Sequence, residues 1–275
     1  MAKGMALTIG LNAVNPKHYE GWKGELNACE ADASDMAEIA LAQKFKVQTL
    51  LTKRATRSAV LASMARAAKA LKAGDIFLLS YSGHGGQVPD RNSDEADHQD
   101  ETWCLYDGEL IDDETYTALG RFKRGVRVLA FSDSCHSGTS IKEMFYAARA
   151  AATATGAPKP RYRNMPSSVA LRTYRAHRAM YDKLQKSVNS NAEQTVQAST
   201  ILISGCQDSQ LSADGDFNGL FTANLLRAWN EGHFRGDYRD LHRSIRRNMP
   251  PDQTPNFFTT GAPSPAFEKQ APFSV

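Results

Sequence analysis

The sequence predicts an α/β fold, in which a central, mostly parallel β-sheet is covered by helices on both faces. Short apolar segments typical of buried strands alternate with amphipathic helical segments from residue 5 to residue 82. That alternation is typical of parallel strands joined by crossover helices. A length of 275 residues, with 41% hydrophobic and 23% charged residues, supplies the core of one sizeable domain, which we expect to span residues 1–275.

The first half of the chain contains the elements of that alternation. Strands are predicted at residues 5–12, 47–51 and 75–82, and a helix at 25–42 carries apolar side chains at helical spacing. A second helix begins after Thr52 or Thr56, either of which can cap it, and ends at Gly74. Residues 83–100 are glycine-rich and then acidic, which predicts an exposed loop. A short strand at 102–106, a helix capped by Asp112 or Asp113 that ends near Gly120, and a buried strand at 126–131 follow.

The second half opens with a segment of different composition. Basic residues clearly outnumber acidic ones over residues 141–197, and a helical pattern runs over about 169–186, so we expect a basic helical insertion outside the sheet. A strand at 200–204, helices at 219–229 and 240–248, and an edge strand at 256–259 are predicted after it. The proline-rich tail from Gly261 is expected to be loosely held.

Composition and charge exclude several classes of function. The net charge is only +3, which does not indicate attraction to nucleic acid or to a membrane surface. The basic insertion has few aromatic residues for stacking, which favours a solvated helical surface over a nucleic-acid site. No segment reaches membrane-spanning length. Four widely separated cysteines without a CxxC pair indicate neither zinc nor disulfides, so we expect a reducing cytoplasm.

Cys135 and His84 each lie just beyond the end of a predicted strand. Cys135 stands in Asp-Ser-Cys-His-Ser-Gly, and His84 stands in Tyr-Ser-Gly-His-Gly-Gly. The carboxyl ends of parallel strands meet at one edge of a sheet, so neighbouring strands would bring the two side chains together. A thiol becomes a good nucleophile as its thiolate, and an imidazole can take that proton. Taken alone, Cys135 could instead be a buried structural thiol, and His84 could be an ordinary polar loop residue.

These two motifs resemble the catalytic motifs of metacaspases, which are caspase-like cysteine peptidases. Cys135 lies 51 residues after His84, close to the ~50 residues expected between histidine and cysteine in that class. The resemblance covers residues 5–256 except the basic insertion, and further matching segments lie at residues 27–32, 204–214 and 219–222.

The resemblance implies a caspase-hemoglobinase fold, which is an α/β/α sandwich of three layers. It implies Cys135 as the nucleophile and His84 as the general acid and base. The backbone N–H groups of Gly85 and Cys135 would form the oxyanion hole. His136, next to the nucleophile, would have at most a supporting role. No third catalytic residue is required.

The resemblance also implies an acidic pocket for the residue that precedes the cleaved bond, the S1 pocket. Its residues map to Asp133, Asp32, Cys29 and Ser82. Carboxylates in a partly desolvated pocket favour a cation and can hold a guanidinium bidentately. We therefore expect protein or peptide substrates cleaved after Arg, and then after Lys. For Asp32 alone, a solvated charge in the first turn of a helix is the alternative.

Calcium is the cofactor that the resemblance suggests, although the mechanism requires none. Asp97, Asp100 and Glu101 supply oxygen ligands in an acidic loop. Lys142 stands where the family usually has an aspartate, seven residues after the nucleophile, and would repel a cation. A calcium site and a plain acidic loop both stay open.

The basic insertion has an additional interpretation. Its arginines and lysines would fit the proposed pocket, so self-cleavage within residues 141–197 is one hypothesis, and a cover over the site or a partner surface is another. A caspase-like scaffold that acts through protein contacts is the alternative to an enzyme, but it would need neither Cys135 nor His84. Nucleic-acid binding through the insertion is a third function. We expect a monomer, although the sequence does not show which sheet edges are exposed.

Overall fold

The described part of the chain contains two β-sheets. The computed structural model describes residues 2–91, 98–134, 162–188, 192–206, 214–215, 217–251 and 253–275. The strands in these ranges are β1 (Gly4–Gly10), β2 (Phe45–Leu51), β3 (Ile76–Ser82), β4 (Gly85–Pro89), β5 (Gln99–Leu105), β6 (Gly108–Ile111), β7 (Arg127–Asp133), β8 (Ser199–Ser204) and β9 (Asn256–Thr260). The main sheet has the order β2-β1-β3-β7-β8-β9, and only β9 pairs antiparallel. A small antiparallel sheet, β4-β5-β6, stands apart.

Helices cover both faces of the main sheet. In the described ranges they are α1 (Cys29–Ala42), α2 (Arg57–Ala70), α3 (Asp112–Leu119), α4 (Ser167–Ala176), α5 (Arg178–Ser187), α6 (Leu220–Trp229), α7 (Tyr238–Arg247) and α8 (Pro265–Glu268). Residues of α1, α6 and α7 share one buried apolar cluster with the sheet. Residues of α2 and α3 share the other. The expected α/β/α arrangement is confirmed.

The alternation of side chains along the strands produces these two clusters. Successive residues of a strand point to opposite faces, so Leu78 and Leu129 join the α1 side while Leu79 and Val128 join the α2 side. All seven residues of β3 are buried. A strand covered on both faces has a nearly continuous apolar sequence, which is the pattern that predicted a strand at residues 75–82.

Strands β3 and β7 are neighbours in the sheet. They run parallel in a register that places Ser82 opposite Asp133. The predicted pairing of the two strands that precede the catalytic motifs is therefore confirmed. His84 lies two residues beyond the end of β3, and Cys135 and His136 lie outside the described residues.

The prediction of an exposed loop over residues 83–100 is wrong for its first part. Gly85–Pro89 forms strand β4, which pairs with β5, and Val88 is fully buried. Gly86 is a site of close packing, because a side chain there would overlap Met165 and Glu109. Glycine permits close backbone approach as well as turns, and the sequence pattern does not separate these two uses.

The prediction of a loosely held C-terminal tail is also wrong. Phe267 and Phe273 are buried. The ring of Phe273 stacks on Phe131 of β7, and Phe267 lies edge-on to Tyr238. Two aromatic side chains anchor this segment although its proline content is typical of a loose tail.

The predicted and the observed boundaries differ most for two helical segments. The helix expected from residue 25 begins at Cys29, because the backbone N–H of Leu26 bonds to Asn12 in the preceding loop instead. The helical run predicted at about 169–186 is two helices, α4 and α5, that meet at His177. Helix α5 packs on the small sheet: Gln185 donates to the carbonyl of Pro89, and the hydroxyl of Tyr181 accepts from the backbone N–H of Glu109.

Candidate active site

His84 is buried beside an aromatic ring at the end of β3. It is 5% exposed, and its ring centroid lies 4.7 Å from that of Trp22. Burial lowers the pKa of His84 to about 4, and the carbonyl of Gly24, which acts in the opposite direction, offsets this only in part. The imidazole is therefore neutral at pH 7.

The hydrogen bond to Gly24 determines which nitrogen of His84 can act as a base. Nε2 of His84 lies 3.2 Å from the carbonyl oxygen of Gly24. A carbonyl only accepts, so Nε2 carries the proton and Nδ1 has the free lone pair. Nδ1 is buried and has no hydrogen-bond partner among the described residues. The sequence did not identify Gly24 as the group that orients the histidine, because a backbone carbonyl leaves no signal in a sequence.

The four residues predicted to line the acidic pocket surround one guanidinium, that of Arg163. Nη2 of Arg163 lies 2.7 Å from Oδ2 of Asp32, and Nη1 lies 2.7 Å from Oδ2 of Asp133. Nη1 also donates to the hydroxyl of Ser82 at 2.8 Å. Cys29 is fully buried, and the Arg163 charge and the Ser82 hydroxyl both lower the pKa of its thiol, against the larger effect of burial. The structure therefore brings Asp133, Asp32, Cys29 and Ser82 together.

Asp214 is a third carboxylate in the same pocket, and the sequence did not assign it. Its Oδ1 lies 3.1 Å from Nη2 of Arg163, and its Oδ2 accepts from the backbone N–H of Asn27. Asp214 is the last residue of the segment 204–214, which resembles the family's sequence, so this resemblance was the signal that could have assigned it to the pocket. Asn218 and Gly219 complete the pocket by donating to Oδ1 of Asp32.

Each pocket carboxylate is held in place by neighbouring donors. Oδ2 of Asp32 also accepts from Ser82 at 2.8 Å, and Oδ2 of Asp133 accepts from Thr222 at 3.1 Å. Gly219 leaves room for the guanidinium, since any side chain there would overlap it. Such satisfied carboxylates form a preorganised site for one planar cation.

Arg163 stays charged in this environment. It is fully buried, and burial lowers its pKa, but Asp133, Cys29, Asp32 and Asp214 more than compensate, so its pKa lies well above the usual value. Burial of Cys29 raises the pKa of its thiol to about 12, so this cysteine is a neutral, structural side chain.

The backbone of the Arg163 segment pairs with the residue that follows His84. The N–H of Gly85 donates to the carbonyl of Arg163 at 2.9 Å, and the N–H of Met165 donates to the carbonyl of Gly85 at 2.7 Å. Asn164 and Gly85 thus form a parallel β-bridge. Gly85 is the described member of the predicted oxyanion hole, and its N–H points at a backbone carbonyl of the chain itself.

The two described carboxylates of the predicted calcium loop point in different directions. Asp100 is buried and accepts from Gln185, whereas Glu101 accepts from Gln87 across the sheet. Neighbours on a strand face opposite sides, so this pair does not by itself present both side chains to one ion. Among the described residues no group of three or more His, Cys, Asp or Glu could hold a metal. Asp97 and Lys142 lie outside the described residues, and calcium stays a prediction.

The fold and the site define an α/β/α domain with a buried, acidic, arginine-sized pocket beside a neutral histidine. The chain belongs to the peptidase family C14, the caspase domain family, whose model matches residues 3–272. This confirms the predicted family. None of the described helices is long and apolar enough to cross a membrane.

Individual relatives agree with this assignment. The chain is 30% identical over 255 residues to Metacaspase-1A of Aspergillus fumigatus, covering 82% of this chain and 60% of the relative. It is 29% identical over 278 residues to Metacaspase-1 of Schizosaccharomyces pombe, and this match covers 89% of this chain and 64% of the relative. The chain thus spans less than two thirds of the length of these relatives. A crystal structure of a Geobacter sulfurreducens protein is 61% identical, with a TM-score of 0.90 and 99% of both chains covered.

Proposed function

We propose that this chain is a cysteine endopeptidase that cleaves peptide bonds after Arg, and more slowly after Lys. One observation carries the proposal: three buried carboxylates hold a guanidinium at the ends of the strands that precede His84 and Cys135. A site that holds one guanidinium between several carboxylates, in fully desolvated contacts, can hold the arginine of a substrate in the same way.

His84 supplies proton transfer in this proposal. Its neutral imidazole, with Nδ1 free and Nε2 fixed by Gly24, takes the proton from the thiol of Cys135. The thiolate attacks the carbonyl carbon of the substrate, the imidazolium then gives its proton to the leaving amine, and water hydrolyses the resulting thioester. The N–H of Gly85 stabilises the negative charge that develops on the carbonyl oxygen.

Arginine is expected to be preferred over lysine for a geometric reason. Asp32 and Asp133 bind different nitrogens of the guanidinium, at 2.7 Å each. An ammonium is a point charge and cannot span the two carboxylates with a planar fork. An aspartate in this pocket would face like charges, which reverses the preference of caspases that cleave after aspartate.

A panel of fluorogenic peptides tests the proposal. The peptides differ only in Arg, Lys, Asn or Asp at the cleaved position, and each is assayed with calcium chloride and with EDTA beside Cys135→Ala. We expect Arg to exceed Lys, and Asn and Asp to be cleaved at least about 100-fold more slowly, because neither neutralises the pocket. Absence of activity in wild type would support a non-enzymatic scaffold, equal activity of Cys135→Ala and wild type would rule out Cys135 as the nucleophile, and preferred cleavage after Asp would rule out the acidic S1 pocket.

A further inference from the structure

A continuous series of ring contacts joins the basic insertion to His84. Its members, which we call the ring series, are His177, His18, Tyr19, Trp22 and His84. The first two rings are stacked, with centroids 4.0 Å apart and planes inclined by 8°. The three following pairs have centroids 5.1, 5.9 and 4.7 Å apart. Rings at such separations attract each other, so side chains in contact connect the insertion to the predicted general base.

His177 lies at the junction of α4 and α5 and contacts His18 in two ways. Besides the ring stack, Nε2 of His177 lies 3.0 Å from the carbonyl oxygen of His18. A carbonyl only accepts, so this nitrogen carries the proton. From α5, the hydroxyl of Tyr181 lies 2.8 Å from Nε2 of His18. Two residues of the insertion therefore hold one residue of the loop that precedes α1.

The loop between β1 and α1 carries His18 and also the two groups that contact His84. Trp22 covers the imidazole, and the carbonyl oxygen of Gly24 lies 3.2 Å from Nε2. The loop is closed by its own backbone, since the N–H of Trp22 donates at 2.9 Å to the carbonyl of Tyr19, the residue next to His18. A shift of His18 would therefore displace Trp22 and Gly24 with it.

The insertion also supports this loop through apolar contacts. A buried cluster joins the loop to the insertion, and Trp22 packs against it. The cluster consists of Val14, Tyr19, Cys104, Met165 and Val169. Apolar contacts are not directional, whereas a hydrogen bond has a defined geometry. Precise placement of the loop therefore depends on His177, which adds a hydrogen bond and a stacked ring to the apolar contacts.

We infer that His177 is a positioning residue, which holds the Trp22–Gly24 segment against His84 and so orients the general base of the proposed reaction. The inference rests on the proposed function, because it concerns the proton transfer assigned there to His84. It also gives the basic insertion a part in the reaction. A merely structural His177 would affect stability and leave the tautomer and the pKa of His84 unchanged. Contact alone does not prove coupling, so the test has to measure His84 itself.

Loss of the His177 ring is expected to raise the pKa of His84. Burial is the largest cause of its low value of about 4, and a displaced Trp22 would admit water to the imidazole. The carbonyl hydrogen bond raises this pKa, so its loss acts in the opposite direction, but it is the smaller effect. The charged groups that act on His84 are Arg163, which lowers its pKa, and Asp214, which raises it, and neither belongs to the ring series.

Nitrogen-15 NMR of the histidine side chains tests the inference without a substrate. Cys135→Ala is the reference chain, His177→Ala is made in that background, and His84→Gln assigns the signal of His84. We expect the pKa of His84 to rise from about 4 towards the ordinary value of about 6.5 in His177→Ala, and its preference for a proton on Nε2 to weaken. His233→Ala is the matched control and should change neither, because His233 is exposed and bonds to the carbonyl of Asn230.

Further variants separate loss of the ring from loss of the fold. His177→Phe keeps a ring for the stack but not the hydrogen bond, so its His84 pKa should lie between those of the reference chain and His177→Ala. Circular dichroism and urea unfolding show whether each variant is folded. A folded His177→Ala in which His84 keeps its tautomer and a pKa of about 4 would overturn the inference, whatever stability it loses. His18→Ala, which removes the other stacked ring, takes its place if His177→Ala does not fold, and an unchanged His84 there is equally decisive.

The fluorogenic arginine peptide distinguishes failure of this inference from failure of the proposed function. We expect His177→Ala to lower kcat about 10-fold, with KM within about twofold of wild type, because the ring series does not include the S1 pocket. Adding it to Trp22→Ala should cost little more than Trp22→Ala alone, since both act through one ring contact. Full kcat and an unshifted acid limb in His177→Ala would overturn the positioning role and leave the peptidase. A wild type that cleaves no peptide would overturn the proposed function, while the NMR titration still decides whether His177 positions His84.

Discussion

Nη1 of Arg163 lies 2.7 Å from Oδ2 of Asp133, and both side chains are buried. Asp133 is the last residue of β7, two positions before Cys135 in the chain. The strand that leads to the predicted nucleophile thus ends in the carboxylate that binds the cation. In the proposed peptidase, recognition of a basic side chain and placement of the bond beside the nucleophile would therefore be coupled through one short segment of backbone.

Neutralising Asp32 is expected to weaken cleavage after arginine by about 100-fold or more in kcat/KM. Removing one partner of a buried, hydrogen-bonded charge pair costs roughly 2–5 kcal/mol, and Asp32 binds Nη2 at 2.7 Å. The Asp32→Asn variant is measured with the Arg and Lys peptides, and the Lys peptide should lose less because an ammonium does not bridge Asp32 and Asp133 as a guanidinium does.

Asp35→Asn is the matched control for that measurement. Asp35 lies one turn further along α1 and accepts a hydrogen bond from Asn218 without contacting Arg163. Its kcat/KM should stay within about threefold of wild type, as expected for a change outside the charge pair. A similar loss in both variants would mean that the effect of Asp32 is structural and would contradict the pocket assignment.

Removing the Arg163 guanidinium is expected to destabilise the intact chain by about 3–5 kcal/mol, because buried carboxylates lose their counter-charge. Urea unfolding of Arg163→Met in a Cys135→Ala background measures this loss without cleavage. Adding Asp133→Asn to Arg163→Met should cost less than the same change costs alone, with a coupling of about 1–3 kcal/mol. Additive losses would show that the two residues do not form one electrostatic unit.

The parts of the fold set by local pattern were predictable from the sequence. Apolar runs indicated the strands, and the alternation with helices indicated the parallel sheet, so the pairing of β3 with β7 followed. Strand β4 was not predictable in the same way, because its glycines are also typical of turns. The segment from Gly261 was wrongly predicted to be loosely held for a related reason, because Phe267 and Phe273 pack against residues far away in the chain.

The candidate site was predictable where side-chain chemistry marks a motif. His84, Asp32, Ser82 and Asp133 stood out through such motifs, and the described residues place the last three around one cation. Gly24 acts through a backbone carbonyl, which no residue type reveals. Arg163 was one of many basic residues in the insertion, and only the tertiary fold selects it from the others.

The pKa of His84 predicts an unusually acidic limb in the pH profile. Since burial lowers this pKa to about 4, kcat/KM for the arginine peptide should remain high down to about pH 5, well below the ordinary imidazole value of about 6.5. Trp22 covers the ring at 4.7 Å, so Trp22→Ala should admit water and shift the acid limb upward. An acid limb near pH 6.5 in wild type would contradict the buried neutral histidine.

The same pKa has a consequence for stability. The folded pKa of His84 lies below the unfolded value, so the free energy of unfolding falls as pH drops from about 6.5 to about 4, by about 3 kcal/mol in total. His18 acts in the same direction, whereas Glu109, with a pKa raised to about 7, acts in the opposite one. The difference between wild type and His84→Gln, both in a Cys135→Ala background, therefore isolates His84. A pH-independent difference would contradict the assignment.

Thiol labelling of the native chain is expected to be selective for Cys135. The other three cysteines, Cys29, Cys104 and Cys206, are buried and form no disulfide. Burial raises the pKa of Cys29 to about 12 and that of Cys104 well above the usual range, so both are protonated at pH 7 and react slowly.

A thiol reagent should therefore label about one cysteine per native chain, and none in native Cys135→Ala, which contains the same three buried thiols. After denaturation the two proteins should label four and three cysteines. Rapid labelling of native Cys135→Ala would show that a buried thiol is accessible and would contradict a selectively reactive Cys135.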